Sequence, residues 1–276
     1  MKPRAFVMPL VLMITMMLTL TAAYILQRQS TQAIVVRRQL GQYEGHHAAR
    51  GIADVLDAWL TGGGRYRSFR DRIDADGRIL DITVPDGLSA NSDGGDILRL
   101  YVKDAQGTLL SDFSGLTGQN LRDARDALDA LRGEAPANWN QLTRVLGPTT
   151  VSLTEAPKEV LSSIVQAATG SIHDGQDFVT AILKARAETV IDAQILNQAV
   201  LDAGLTPEQQ GKLTRMVTPE TTFWTLRADI LQGGTRLVAR YEGFLSTTQA
   251  VTTRSVQPGQ PTRKGHVQQL RRVPLE

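Results

Sequence analysis

The sequence predicts an α+β protein built on one long N-terminal helix, and three observations predict it. Phe6 to Leu26 is a run of 21 residues without a charge. From Gln27 to Leu60 no proline interrupts the chain, and apolar residues recur at Ile52, Val55, Leu56, Trp59 and Leu60, the i, i+3, i+4, i+7, i+8 stripe of an amphipathic helix. Beyond that stripe, alternating strand patterns stand on either side of a long helical stretch.

The first element is a membrane span. At 1.5 Å per residue the uncharged run reaches about 30 Å, the thickness of a bilayer's hydrocarbon core. A cleaved secretory signal is the rival reading, but its apolar region would cover about 7–15 residues and end at a small-x-small site. Here the run begins almost at residue 1, and Thr21-Ala22-Ala23 is a weak cleavage site. Lys2 and Arg4 precede the span while Arg28, Arg37 and Arg38 follow it, so flanking charge hardly fixes orientation. The helix continues past the span as a stem until Gly62-Gly63-Gly64 stops it.

In the next segment, Asp74-Ala75-Asp76-Gly77 reads as a tight turn before the alternating strand Ile79 to Val84. A hairpin is expected from Ile97–Val102, a turn over Lys103–Gly107, and Thr108–Phe113. Asp74 and Asp76 before Gly77 also have the opening spacing of a calcium loop, without a glutamate at the closing position; they are the calcium candidates, and a plain turn is the preferred reading.

A short helix is expected from Leu121 to Leu131, and a strongly helical stretch follows. Thr154 is the expected cap of a helix with Pro157 in its first turn, running to Gly170. Further helices are expected over Asp177–Ala187 and Ile195–Ala203, the second closed by Gly204 with Leu205 as its apolar contact. Thr206, Pro207 and Gln209 form a capping box for a helix to about Val217. Thr222–Leu231, Gly233-Gly234 and Thr235–Leu245 read as a β-hairpin. From Thr252 onward, prolines and scattered Arg and Lys read as a flexible basic extension.

Composition narrows the function classes. Of the 276 residues 42% are hydrophobic and 21% charged, which suits a folded protein rather than a disordered one. The net charge of +2 offers no general field for nucleic acid, although Arg254–Glu276 holds five basic residues against one acidic. There is no cysteine, which excludes disulfides, thiolate metal sites and cysteine nucleophiles. His46 and His47 are adjacent on the stem helix and point about 100° apart, a poor metal pair, while His173 and His266 lie apart from them. No phosphate loop, zinc-protease motif or dinucleotide fingerprint occurs, so no catalytic residue and no cofactor is expected.

Several stretches carry a family resemblance. A short basic leader, a small residue, then Phe6 and a long apolar helix resemble the start of a type IV prepilin or pseudopilin. Ala5 and Phe6 match the junction cut by the prepilin peptidase, with Ala5 where glycine is usual and Leu10 where a filament subunit usually carries glutamate. Lack of that acid resembles the K-type minor pseudopilin of type II secretion. Ser152 to Leu161 is similar to that family's Asn-Thr-Ala-Pro-x-Glu-Val-Leu segment, with Ser152 and Glu155 departing. Leu205 to Leu213 with Met216-Val217-Thr218, and Thr222 to Ala228 with Gly233-Gly234 and Arg240-Tyr241-Glu242, resemble its second helical hairpin and its closing β-hairpin.

The resemblance implies a pilin-like α+β fold, in which the helix-plus-antiparallel-sheet domain carries an inserted all-helical domain of helix-hairpin-helix type. The expected division is leader 1–5, transmembrane helix 6–26, helical stem 27–60, pilin-like domain 65–145, helical insertion 146–219, closing hairpin 220–248 and basic tail 249–276. It also implies a non-enzymatic subunit at the tip of a pseudopilus, anchored in the inner membrane with its C-terminal domain in the periplasm. Its partners would be other minor pseudopilins, the inner-membrane assembly platform, the prepilin peptidase and membrane lipid. The expected subunit-contact residues on the stem are Leu10, Ile52, Val55, Leu56 and Trp59. Alternative readings are a membrane-anchored sensor or binding domain, or a pilus-type DNA-uptake component. The latter would use Ala203–Pro207 with Lys212 and Arg215 against a nucleic-acid backbone, whereas the acids Asp202 and Glu208 beside that hairpin speak against nucleic acid.

Overall fold

The structure is a computed structural model that describes residues 7–62, 73–83, 95–171, 173–247 and 267–275. The expected cleavage junction Ala5–Phe6, the stop glycines Gly63 and Gly64, the strand end Val84 and His266 lie outside the described residues.

Helix α1 runs unbroken over Val7–Gly62, 56 residues or about 84 Å. Pro9 costs it nothing, because the backbone N–H groups of a first turn have no intrahelical acceptor. Then come β1 (Arg78–Thr83), β2 (Ile97–Asp104), β3 (Leu109–Leu110), α2 (Gly118–Glu134), a 3-10 turn at Pro136–Asn138, the single-turn α3 (Trp139–Leu142) and β4 (Thr143–Arg144). β5 (Val151–Ser152) precedes four helices, α4 (Lys158–Thr169), α5 (Gln176–Glu188), α6 (Ala193–Asp202) and α7 (Pro207–Met216). The chain then forms β6 (Val217–Thr218), β7 (Phe223–Gln232), β8 (Arg236–Ser246) and β9 (Val267–Val273). Residues 1–51 and 52–276 are separate compact units.

The protein is thus α+β, a long apolar N-terminal helix followed by an antiparallel-sheet domain. Five strands pair antiparallel in the order β1-β2-β7-β8-β9. One face of the sheet is buried through alternate residues, with Leu98, Leu100 and Val102 of β2 beside Leu226 and Ala228 of β7 and Tyr241 and Leu245 of β8. Residues 105–222 interrupt this sheet between two hydrogen-bonded neighbours, β2 and β7. They build a second core from Leu128 and Leu131 of α2, Val160, Leu161 and Ile164 of α4, Phe178 and Ile182 of α5, and Leu213 of α7. Phe178 and Ile164 have no exposed surface, and burial of each contributes about 1.5–3 kcal/mol.

The local signals behave as their chemistry requires. Thr206 accepts from the Gln209 backbone N–H while Gln209 Oε1 accepts from the Thr206 N–H, so the capping box at α7 is complete. Gly204 adopts φ +64° after α6, and Leu205 is buried beside it. The β7–β8 hairpin turns at Gly233 and Gly234, both at positive φ.

Four expectations change. The hairpin of Ile97–Val102 with Thr108–Phe113 does not form: β2 pairs with β1 and β7, and β3 pairs parallel with β4. The reason is that β3 leaves the sheet and Leu109 joins the helical core, with Leu110 buried beside it in sequence. Thr154 does not cap α4; Pro157 is the N-cap and no side chain bonds there. Helix α2, expected within the sheet domain of 65–145, packs instead on α4 in the helical core. Finally, the basic stretch after Thr252 is not wholly an extension, since Val267–Val273 forms the edge strand β9 against β8.

The two cores meet at a polar knot around Gln106, which is fully buried. Its Nε2 donates to the Thr150 carbonyl at 3.1 Å and to Thr150 Oγ1 at 2.8 Å. Its Oε1 accepts from the Thr222 backbone N–H at 2.8 Å. Asp104, the last residue of β2, accepts from the Gln106 backbone N–H at 2.7 Å and from the Thr221 hydroxyl. Arg144 lies in the same knot and donates to the carbonyls of Gln106, Pro148 and Thr150. Burial pushes its guanidinium down to about 10, opposed only in part by the charge of Asp104.

Candidate functional site

Among the described residues one helix, α1, is long and apolar enough to cross a membrane. Its threonine hydroxyls at positions 15, 19 and 21 are compatible with lipid because each is satisfied inside the helix. Thr15 Oγ1 donates to the carbonyls of Val11 and Leu12, Thr19 to those of Thr15 and Met16, and Thr21 to that of Met17 at 2.7 Å. The large side chains between Met8 and Leu26 that stand exposed are Met, Val, Leu, Ile and Tyr, so the surface of this segment is fit for a hydrocarbon solvent.

The expected contact residues divide. Ile52 and Leu56 are buried inside the unit of residues 52–276, so they belong to the protein's own core and are not free for another subunit. The cause is the i, i+4 spacing itself, which marks the face that a helix turns toward its own domain. Val55 is exposed and Trp59 half-buried. Leu10 lies within α1. Along the same stem a further apolar stretch, not among the residues singled out above, is exposed beyond the uncharged run: Val36 at 60%, Leu40 at 54% and Tyr43 at 64%. Their i, i+4, i+7 spacing was the available signal, masked by the neighbouring Arg37 and Arg38.

The other marked residues hold local roles. Asp74 caps its turn: one carboxylate oxygen accepts from the backbone N–H of Asp76 at 3.0 Å and of Arg78 at 2.8 Å, and the other from Arg78 Nε at 2.8 Å. The Arg78 backbone bond, followed by its guanidinium, holds this carboxyl below its usual range. Asp76 contributes its backbone N–H to the turn. His46 and His47 are exposed with rings 6.0 Å apart at 82°, and His173 is exposed in the loop before α5. Among the described residues no three His, Asp or Glu side chains come close enough to hold a metal ion.

Helices α6 and α7 are joined by a short turn at Gly204, and the cations of α7 are engaged. Lys212 Nζ donates to Asp126 Oδ2 at 2.6 Å, and Arg215 donates through Nε and Nη2 to Asp123 Oδ2 at 3.2 and 3.1 Å. Asp123 itself is buried and also accepts from Gln119 Nε2 at 2.8 Å. Lys212 and Arg215 therefore tie α7 to α2.

No family model matches the chain, and no curated protein matches it. Among solved structures it is similar to a chain in the crystal structure of the GspK-GspI-GspJ complex from the enterotoxigenic Escherichia coli type 2 secretion system. The likeness covers 86% of this chain and 100% of that chain, at a TM-score of 0.46 and 12% sequence identity.

Proposed function

We propose that the protein is a non-enzymatic, membrane-anchored subunit of a pseudopilus-type assembly, of the K-type minor kind that occupies the tip. The observation that carries the reading is the continuity of α1. A single 56-residue helix holds the lipid-compatible segment, an exposed apolar stretch beyond it and buried residues of the head domain. An ordinary anchor has no use for that middle stretch, whereas a subunit that packs its stem beside others does. Leu10 fits a tip position, because a carboxylate in lipid needs the amine of a neighbouring subunit and a tip subunit lacks one on one side. In this reading the head lies in the periplasm, the span crosses the inner membrane, and Val36, Leu40 and Tyr43 face other minor pseudopilins.

The test is the mass of the mature N-terminus in cells with and without the prepilin peptidase. Cleavage between Ala5 and Phe6, lost when the peptidase is absent, is the expected result. An intact Met1 in both strains would remove the filament reading, and a start at or beyond Ala23 would make the span a secretory signal.

A further inference from the structure

The edge of β8 is shaped for one particular strand, and that strand is loosely held. Between the pairs Phe244↔Gln268 and Glu242↔Arg271 there is one residue on β8, Gly243, and two on β9, Gln269 and Leu270. This is a β-bulge. A Cβ on Gly243 would lie 2.8 Å from Leu270 Cα and 2.9 Å from the Gln268 carbonyl oxygen, so glycine is what lets the bulged backbone approach. Across the same edge Glu242 stands opposite Arg271, a cross-strand pair of opposite charge.

The hold on β9 is nevertheless slight. None of its side chains is buried, whereas β7 and β8 bury residues such as Phe223, Leu226 and Leu245. Gln269 sits at φ +51°, the one positive φ outside glycine among the described residues. Backbone bonds thus supply most of the attachment, and a strand held in that way opens more readily than one anchored by core side chains. The connection is also far longer than the pairing demands. Nineteen residues separate Thr247 from Val267, where an antiparallel neighbour can be reached through two.

We infer that β9 is an exchangeable strand, and that Val267–Val273 of one copy pairs with the β8 edge of a second copy when two heads stand side by side. The acceptor edge commits to this occupant because its glycine and its glutamate match this segment's bulge and arginine. In dilute solution the tethered strand wins through its effective concentration. Copies confined to a membrane by α1 raise the competing concentration, so the exchange rests on the anchoring part of the reading above.

The chain has no cysteine, which makes the test clean. Paired Cα atoms of antiparallel strands lie within disulfide reach, and Glu242 and Arg271 are both exposed, so substitution there leaves the core intact. Full-length Glu242→Cys and Arg271→Cys chains, tagged differently and co-expressed, are oxidised in membranes and run on a non-reducing gel. The expected result is a mixed dimer several-fold above that from Arg78→Cys, on the opposite sheet edge, with Arg271→Cys. A yield no greater than this control, with the double variant closing only within one chain, overturns exchange. So does capture of a different protein by Glu242→Cys. The same gel run on membrane and soluble fractions scores anchoring separately, so failure of the anchor and failure of the exchange read differently.

Discussion

Replacing Gln106 with leucine is expected to lower the stability of the head by about 2 kcal/mol, as one partly buried backbone group loses its partner and a second keeps only its bond from Arg144. The two groups are the Thr222 N–H, 2.8 Å from Gln106 Oε1, and the Thr150 carbonyl, 3.1 Å from Nε2. Leucine fills most of the volume, so the loss reports hydrogen bonding more than a cavity. The location makes the consequence specific. Gln106 is where the chain leaves the sheet and Thr222 is where it returns, and Ala105 closes the same point by donating its N–H to the Phe223 carbonyl. The helical core and the sheet should therefore lose their coupling before either loses its own packing. Urea titration of the full-length protein, followed through tryptophan fluorescence, should show an earlier transition that is also broader than that of the parent. Trp224 reports the sheet and Trp139 borders the helical core. A midpoint unchanged from the parent would mean that water replaces the side chain and that the knot carries little of the stability.

Most of this knot is invisible in the sequence, and the reason is sequence distance. Gln106 bonds to residues 44 and 116 positions away, and nothing local marks a glutamine as a junction. The parts that were legible are those fixed within a few residues. Thr206-Pro207-Glu208-Gln209 specifies its own helix start, and Gly233-Gly234 specifies the turn of the β7–β8 hairpin. Leu109 and Leu110 misled because their partner β4 lies more than thirty residues on, and a short apolar run looks alike in a hairpin and in a parallel pair. Strand β9 was hidden for a different reason. Val267, Leu270 and Val273 recur every third residue, which violates strand alternation, and the bulge at Gln269–Leu270 is what turns that spacing into a strand. On the stem, periodicity located the apolar face but could not say which part the protein's own head had already covered. Ile52 and Leu56 are core, and the free surface lies earlier, around Val36, Leu40 and Tyr43.

Removing both cations of α7, by Lys212→Ala with Arg215→Ala, is expected to cost about 2–4 kcal/mol of folding stability, because a buried carboxylate is left without a counter-charge. Asp123 is 3% exposed; after the double change only Gln119 would remain as a side-chain donor to it. The partners are unequal, and that inequality gives the control. Both basic side chains reach solvent and Lys212 keeps Asp126, so Asp123→Asn frees one cation, Arg215, that water can accept, and its cost should be about 1 kcal/mol or less. Large loss from the double cation variant with small loss from Asp123→Asn is the signature of a structural clamp between α2 and α7. A nucleic-acid role for the hairpin demands the reverse. There, Lys212 and Arg215 would leave stability almost unchanged when removed, while binding to duplex DNA and its salt dependence would fall together. Urea midpoints for the three proteins, set beside DNA binding at two salt concentrations, separate the two outcomes. The geometry, with both cations already on acids of α2, favours the clamp.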